Sequence, residues 1–103
     1  MRAGVYSLDE LKTILHPAFS AYPVRRGYVF GSYSRGEATE NSDIDLFIEP
    51  SEGFKSYEVC GILSRAMKLS SKGVDCYSSI DFDDNAPILK EIKKDRVLIY
   101  EGV

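Results

Sequence analysis

Two aspartates spaced one residue apart, Asp43 and Asp45, are the side chains of this sequence best placed to do chemistry. They lie in the segment Ser-Asp-Ile-Asp-Leu at residues 42–46, which is typical of a β-strand. Because side chains on a strand alternate between its two faces, both carboxylates are expected to point the same way. Such a pair repels unless water screens it or a cation lies between the two charges. Mg²⁺ sites often combine one or two carboxylates with the phosphates of a substrate.

A glycine-serine turn, Gly-Ser-Tyr-Ser-Arg-Gly at residues 31–36, follows an apolar run and precedes the acid pair. Glycine has no Cβ, so its backbone can approach an anion closely. If residues 33–35 begin a helical turn, their free N–H groups favour phosphate binding. Arg35 could bind a phosphate or form an ion pair with the acid-rich strand. The turn lacks the lysine of a P-loop and the glycine spacing of a dinucleotide fingerprint. Turn and acid pair together indicate nucleotide chemistry.

A third carboxylate is expected to converge on the pair from another strand, and Asp75 is the best candidate. It lies in a short apolar stretch, residues 73–77, where a charged side chain is unfavourable unless it has a partner or a function. The alternative for Asp75 is an edge-strand acid that faces water. The acids at positions 81, 83 and 84 are interpreted as a solvated loop without the spacing of a calcium site. The single histidine, His16, is interpreted as a surface residue at a helix end.

Three helices are predicted from apolar periodicity and end signals. Ser7 and Glu10 fit a capping box that starts the first, which Pro17 is expected to end or kink. The second is expected over residues 54–70, with Gly73 as its C-terminal stop. The third opens at an Asn-Ala-Pro segment that places a proline in its first turn.

Four strands are predicted between these helices. Three of them cover residues 24–30, 73–77 and 97–100, and the other includes Asp43 and is ended by Pro50. A turn at 95–96 precedes the last strand. Because helices and strands occur together in one chain, we expect the α/β or α+β class, with a mixed sheet of about four strands and flanking helices. The apolar last strand, if it lies at the sheet edge, would permit a homodimer or a hetero-oligomer with a partner protein.

Length and composition indicate one small domain that spans residues 1–103. The net charge of −3 disfavours nucleic-acid binding, which normally needs a basic face. No apolar segment approaches the roughly 20 residues of a membrane span, and the amino terminus lacks a secretory layout. Cys60 and Cys76 are expected to be reduced thiols in or near the core of a cytoplasmic protein.

The sequence resembles the minimal nucleotidyltransferases of the DNA polymerase β superfamily, which are small antitoxin partners of HEPN-domain toxins. The family pattern is Gly-Ser, a short helix that carries Arg-Gly, a loop, Ser-Asp-x-Asp-Leu, and a later aspartate in a strand. The resemblance covers nearly the whole chain, although Ser34 stands where many members have alanine. The matching residues are Gly31, Ser32, Arg35, Gly36, Ser42, Asp43, Asp45, Leu46 and Asp75.

The resemblance implies a polymerase β-like fold with its acids clustered at one end of a cleft. It implies that Asp43, Asp45 and Asp75 are the catalytic residues and bind two Mg²⁺ ions, with Asp75 also placed to accept a proton. ATP is the implied substrate, and AMP would be transferred with release of pyrophosphate.

The resemblance also implies the nucleotide-binding residues Gly31, Ser32, Arg35 and Ser42, of which the first two would bind the β- and γ-phosphates. Family members modify a tyrosine of their cognate toxin, so the implied acceptor is a hydroxyl of a HEPN-type toxin.

Three functions compete at this point. The first is a Mg²⁺-dependent protein adenylyltransferase that acts as an antitoxin. The second is a non-catalytic antitoxin that neutralises its partner by occlusion, which the small size of the chain motivates. The third is a nucleotidyltransferase for a small molecule or RNA, which the acidic balance and the lack of an accessory domain disfavour.

Overall fold

A four-stranded mixed sheet with three α-helices makes up residues 4–102 of the computed structural model. Residues 1–3 and 103, which the predicted domain includes, lie outside the described range. The predicted fold class is confirmed. The elements are α1 (Leu8–Ser20), β1 (Val24–Phe30), β2 (Ile44–Pro50), α2 (Glu58–Ser70), β3 (Val74–Ser78), a 3₁₀ helix (Ser79–Asp81), α3 (Pro87–Asp95) and β4 (Val97–Glu101).

The strand order is β3-β2-β1-β4. Strand β1 is antiparallel to both β2 and β4, whereas β2 and β3 are parallel and are joined by α2. The first residues of β2 and β3 therefore lie at the same end of the sheet as the last residues of β1. Strand β4 lies at an edge of the sheet, which is the position that the predicted association through this strand assumed.

Apolar side chains cover both faces of the sheet. On one face, Ile44, Leu46 and Ile48 are fully buried against α1 and α2. On the other face, Phe47 packs in a smaller cluster under α3, which closes over it with Leu89 and other apolar residues. The predicted division of β2 into an apolar and an acid-bearing face is confirmed, and α3 covers the part of the acid-bearing face that lies beyond the acids.

Helix α1 begins as predicted but does not end as predicted. The Ser7 Oγ accepts a hydrogen bond from the Glu10 amide at 3.1 Å, and the Ser7 amide donates to the Glu10 carboxylate at 2.7 Å. The expectation that Pro17 ends the helix is wrong, because α1 continues to Ser20. Proline removes one helical hydrogen bond, and burial of the following Ala18 and Phe19 in the core offsets that loss.

Helix α2 is shorter than predicted at its start, since residues 54–57 lie outside the helix and only 56–57 form a turn. There the Glu58 carboxylate accepts a hydrogen bond from the Lys55 amide at 2.8 Å, which fixes the chain before the helix. The assignment of Gly73 as the helix stop is also wrong. Ser71 adopts the left-handed conformation that ends α2, with φ of 58°.

The remaining differences are shifts of one residue. Strand β3 covers residues 74–78 rather than 73–77, β4 extends to Glu101, and α3 continues through Asp95 where a turn was expected. Cys60 and Cys76 are both free thiols; the first is exposed, whereas burial raises the pKa of Cys76 to about 12. No helix within residues 4–102 combines the length and apolarity needed to cross a membrane.

Candidate active site

The three predicted acids meet at the end of the sheet where β2 and β3 begin. Asp45 of β2 is the direct neighbour of Asp75 on the parallel strand β3. Side chains of paired residues share one face of a sheet. Asp43 lies two residues before Asp45 and just ahead of β2, where the strand was predicted to begin. Asp45 is half-buried, whereas Asp43 and Asp75 are exposed. Asp75 therefore has the exposure expected of an edge-strand acid and is paired with Asp45, whereas its convergence with Asp43 on one metal site stays a prediction.

The pKa of Asp45 reflects its burial and the charges of the neighbouring acids. Burial raises the pKa of the Asp45 carboxyl, and the neighbouring charges of Asp75 and Asp43 raise it further. The Arg35 guanidinium acts in the opposite direction and lowers that pKa. The ionised acids therefore repel one another, as expected of a site that a cation completes.

The acids suit a hard divalent cation, although they are not gathered around a preformed centre. Within residues 4–102, no three His, Cys, Asp or Glu side chains converge closely enough to hold a metal ion as they stand. The donors are nevertheless all carboxylate oxygens, which Mg²⁺ prefers, and a cation would relieve their repulsion. Because Asp43 and Asp75 are exposed, they can rotate toward Asp45 without disturbing the core.

Two glycines lie against the carboxylates. Gly31, the residue after β1, has φ of +74°, and a Cβ at this position would overlap Asp45 Oδ2. Gly73, the residue before β3, has no unusual φ, but a Cβ there would overlap Asp43 Oδ1. The predicted role of Gly31 in a tight turn fits this geometry. Gly73 was missed as a site residue, although its position two residues before Asp75 placed it opposite Asp43.

The turn at residues 31–36 is a single hydrogen-bonded turn rather than the short helix that the family pattern implies. The Arg35 amide donates to the Gly31 carbonyl at 3.2 Å, and the Ser34 hydroxyl donates to the same oxygen at 2.8 Å. Within the described part of the chain, the backbone N–H groups of residues 32–34 donate no hydrogen bond. These three donors have no acceptor among the described residues, and anion binding by the turn stays a prediction.

Arg35 is held by two carboxylates that do not belong to the acid-rich strand. Its Nε lies 2.8 Å from Glu37 Oε1, and its Nη1 lies 2.7 Å from Asp95 Oδ2. Sequence inspection missed Asp95, which stands 60 residues away at the end of α3. No local pattern marks it, because only the folded chain brings α3 to the turn.

Ser42 lies in the turn that leads into β2. Its hydroxyl oxygen accepts a hydrogen bond from the Thr39 amide at 2.8 Å, and its own amide donates to the Thr39 carbonyl at 3.0 Å. Ser42 thus orients the chain just before Asp43, and its role in nucleotide binding stays a prediction.

The residues interpreted as surface positions are exposed, but His16 lies inside α1 rather than at its end, and Asp81 belongs to the 3₁₀ helix rather than to a loop. His16 is exposed on α1, with its ring 5.4 Å from that of Tyr100. The acids at positions 81, 83 and 84 are all exposed between β3 and α3.

A family model, related sequences and solved structures all match this chain. Residues 12–102 match the family described as polymerase beta, nucleotidyltransferase. A protein of Methanocaldococcus jannaschii, "Putative protein adenylyltransferase MJ0435", is 33% identical over 87 residues, which cover 82% of this chain and 88% of that protein. A second protein of that organism, "Putative protein adenylyltransferase MJ1379", is 35% identical over 100 residues, which cover 91% of this chain and 97% of that protein.

Solved structures share the architecture. A toxin–antitoxin crystal structure with AMP-PNP has a TM-score of 0.72 at 16% identity and covers 88% of this chain and 73% of its own. A complex of tri-AMPylated Shewanella oneidensis HEPN toxin with MNT antitoxin has a TM-score of 0.66 at 12% identity, with coverage of 92% and 73%. At such identities the likeness concerns the fold alone. A structure described as "putative minimal nucleotidyltransferase" is 27% identical with a TM-score of 0.64 and covers 89% of this chain and 95% of its own.

Proposed function

We propose, from the premise that the chain belongs to the polymerase beta nucleotidyltransferase family, that it is a Mg²⁺-dependent protein adenylyltransferase. Its substrate is ATP, and its acceptor is a tyrosine hydroxyl of a HEPN-type toxin that the modification silences. The names of its relatives support the reaction, and the toxin–antitoxin complexes among its structural neighbours support the partner.

The observation that carries the proposal is the pairing of Asp45 with Asp75 across two parallel strands. A carboxylate pair of this kind is unfavourable in the isolated chain, because burial and the neighbouring acids raise the pKa of Asp45. The turn at residues 31–36 begins directly after β1, at the same end of the sheet as the acids, and this placement supports a single substrate that contacts both.

Each group has a defined task in the proposed reaction. Asp43, Asp45 and Asp75 would bind two Mg²⁺ ions, which when bound supply positive charge against the triphosphate. The free amides that follow Gly31 would bind the β- and γ-phosphates, and the Arg35 guanidinium adds a fixed charge beside them. Catalysis of this type depends on position and charge neutralisation more than on covalent chemistry.

The proposed step forms one bond and breaks one bond. The acceptor oxygen bonds to the α-phosphorus of ATP, while the bond from that phosphorus to the oxygen that bridges to the β-phosphate breaks. Pyrophosphate leaves with the bonding electron pair. The hydroxyl proton passes to a carboxylate, and the exposed Asp75 is the acid best placed to accept it.

Label transfer tests the proposal. The protein is incubated with α-labelled ATP, Mg²⁺ and the HEPN-type protein encoded beside its gene. The proposal expects label on a tyrosine of that protein, no label when EDTA removes the metal, and no label from γ-labelled ATP. Absence of transfer in the presence of Mg²⁺, or transfer that EDTA leaves unchanged, contradicts the proposal.

A second candidate is an antitoxin that works by occlusion alone, and the lack of a preformed metal centre within residues 4–102 motivates it. Neutralisation of the toxin by an Asp43→Ala/Asp45→Ala double variant separates the two candidates. Loss of neutralisation supports the adenylyltransferase, whereas full neutralisation favours occlusion.

Substitution of Gly73 should impair transfer with little effect on folding. In Gly73→Ala the new Cβ displaces the Asp43 carboxylate, which is the far end of a flexible side chain. We expect a loss of transfer of up to about 100-fold, as misplacement of a reacting group by about 1 Å can produce. The free energy of unfolding should change by less than about 0.5 kcal/mol.

The control for Gly73→Ala removes the charge of Asp43, the carboxylate that the new Cβ is expected to displace. In an Asp43→Asn background, adding Gly73→Ala should cause no further loss of transfer. A further loss of the same size, or a large fall in Tm for Gly73→Ala alone, would show that the glycine acts by another route.

A further inference from the structure

The ion pair between Arg35 and Asp95 joins the turn at residues 31–36 to the end of α3. Arg35 Nη1 and Asp95 Oδ2 lie 2.7 Å apart, a distance typical of a charge-assisted hydrogen bond. Asp95 is the last residue of α3, and the next residue but one begins β4. The turn is thus fixed against a rigid element on the acid-bearing face.

The two carboxylates that hold Arg35 differ in their surroundings. The side chain of Glu37 is 64% exposed and lies only two residues from Arg35, so that pair contributes little and can exchange with water. The side chain of Asp95 is only 22% exposed. Asp95 is therefore the more shielded of the two partners and the one that ties the guanidinium to α3.

Asp95 also carries an unusual oxygen. Its Oδ1 is shielded from solvent and accepts no hydrogen bond from residues 4–102. Buried carboxylate oxygens are rarely left in this state, and such an oxygen calls for an explanation such as strain, a catalytic role or a bound ion. A purely structural ion pair would gain from satisfying both oxygens, for example through a two-point contact with the guanidinium.

Both partners lie within electrostatic reach of the acid site. The Arg35 charge lowers the pKa of Asp45, and the Asp95 charge raises it. The second terminal nitrogen of Arg35, Nη2, donates no hydrogen bond to the residues that the structure describes. Its N–H groups therefore keep donor capacity for a ligand.

We propose that Asp95 is a positioning residue that holds the Arg35 guanidinium beside the acid site, so that its free nitrogen binds the triphosphate of ATP. The inference rests on the proposed function, because it assumes that ATP is the ligand. It adds to that function a residue outside the family pattern, supplied by α3 and contributing through Arg35 rather than through contact with substrate.

Affinity for ATP tests the assignment apart from catalysis. Binding of a non-hydrolysable ATP analogue with Mg²⁺ is measured by calorimetry for the wild type, Asp95→Asn, Arg35→Gln and the double variant. We expect Asp95→Asn to weaken binding about tenfold, the lower end of what loss of an outer-shell partner causes. Asp95→Asn should add nothing further in the Arg35→Gln background, and Asp95→Glu should restore part of the affinity.

Glu91→Gln is the matched control, because Glu91 is also an ion-paired acid of α3 but contacts Lys94 instead of Arg35. It should leave affinity unchanged. Asp95→Asn with wild-type affinity, while Arg35→Gln binds weakly, would overturn the role of Asp95 alone. Additive losses in the double variant would show that Asp95 acts independently of Arg35 and would also overturn it. Absence of binding by the wild type would overturn the proposed function itself.

Discussion

Replacing Asp45 by asparagine should abolish nucleotidyl transfer and at the same time make the metal-free protein more stable. Asp45 lies between Asp75 and the turn, so loss of its charge should weaken the proposed metal site at its centre. We expect transfer to fall at least about 100-fold, the range seen when one preorganised electrostatic group is removed. The gain in Tm follows because the asparagine no longer repels the neighbouring acids.

The sign of the pH dependence follows from the raised pKa of Asp45. A carboxyl whose pKa is higher in the folded state contributes stability below its unfolded-state value, and this contribution is lost as the pH rises through the folded-state value. The Tm difference between Asp45→Asn and the wild type should therefore be largest at neutral pH and shrink on acidification. Addition of Mg²⁺ should raise the Tm of the wild type more than that of the variant.

Asp84→Asn is the matched control, since Asp84 is an exposed acid in the connection between β3 and α3. The same change of charge there should alter neither transfer nor the response to Mg²⁺. The account is contradicted if Asp45→Asn transfers AMP at the wild-type rate, or if its Tm is lower than that of the wild type at neutral pH.

Gly31→Ala should reduce both stability and transfer. With φ of +74°, Gly31 occupies the left-handed region, where a residue with a Cβ costs about 1–2 kcal/mol. The added Cβ also meets Asp45 Oδ2, so the carboxylate must move. We expect a loss of transfer of about 10- to 100-fold in addition to the loss of stability. Chemical denaturation and the label-transfer assay measure the two effects separately.

Gly53→Ala separates the backbone effect from the contact with Asp45. Gly53 has φ of +90°, and a Cβ there meets nothing within 4 Å. Gly53→Ala should therefore lose a similar amount of stability but retain full transfer. Equal loss of transfer in both variants would mean that strain in the chain, and not displacement of the carboxylate, explains the effect of Gly31→Ala.

The acid-bearing strand was predictable because its signal is local. Alternation of apolar and acidic residues in β2 determines which side chains share a face, and the structure has Asp45 and Phe47 on the predicted side. The capping box at Ser7 is local in the same sense and was also predicted. The choice of Asp75 as the third acid depended on the resemblance to a known family as well as on its place in an apolar strand.

Features that depend on tertiary contacts were missed. Pro17 continues α1 because the residues after it are buried, which no local rule for proline includes. Gly73 was assigned to a helix end, yet it lies directly against the Asp43 carboxylate. Asp95 looked like a turn residue, and only the packing of α3 on the acid-bearing face brings it to Arg35. Each error arose where a contact between residues far apart in the sequence outweighed the conformational preference of the local sequence.

A crystal structure with Mn²⁺ in place of Mg²⁺ and a non-hydrolysable ATP analogue tests the central claim most directly. Anomalous scattering locates the metal without reference to any assumed geometry. The account predicts a metal peak bound by carboxylate oxygens of Asp43, Asp45 and Asp75, with the triphosphate over the turn at residues 31–36. A metal peak elsewhere on the chain, or a triphosphate bound away from these acids, would contradict it.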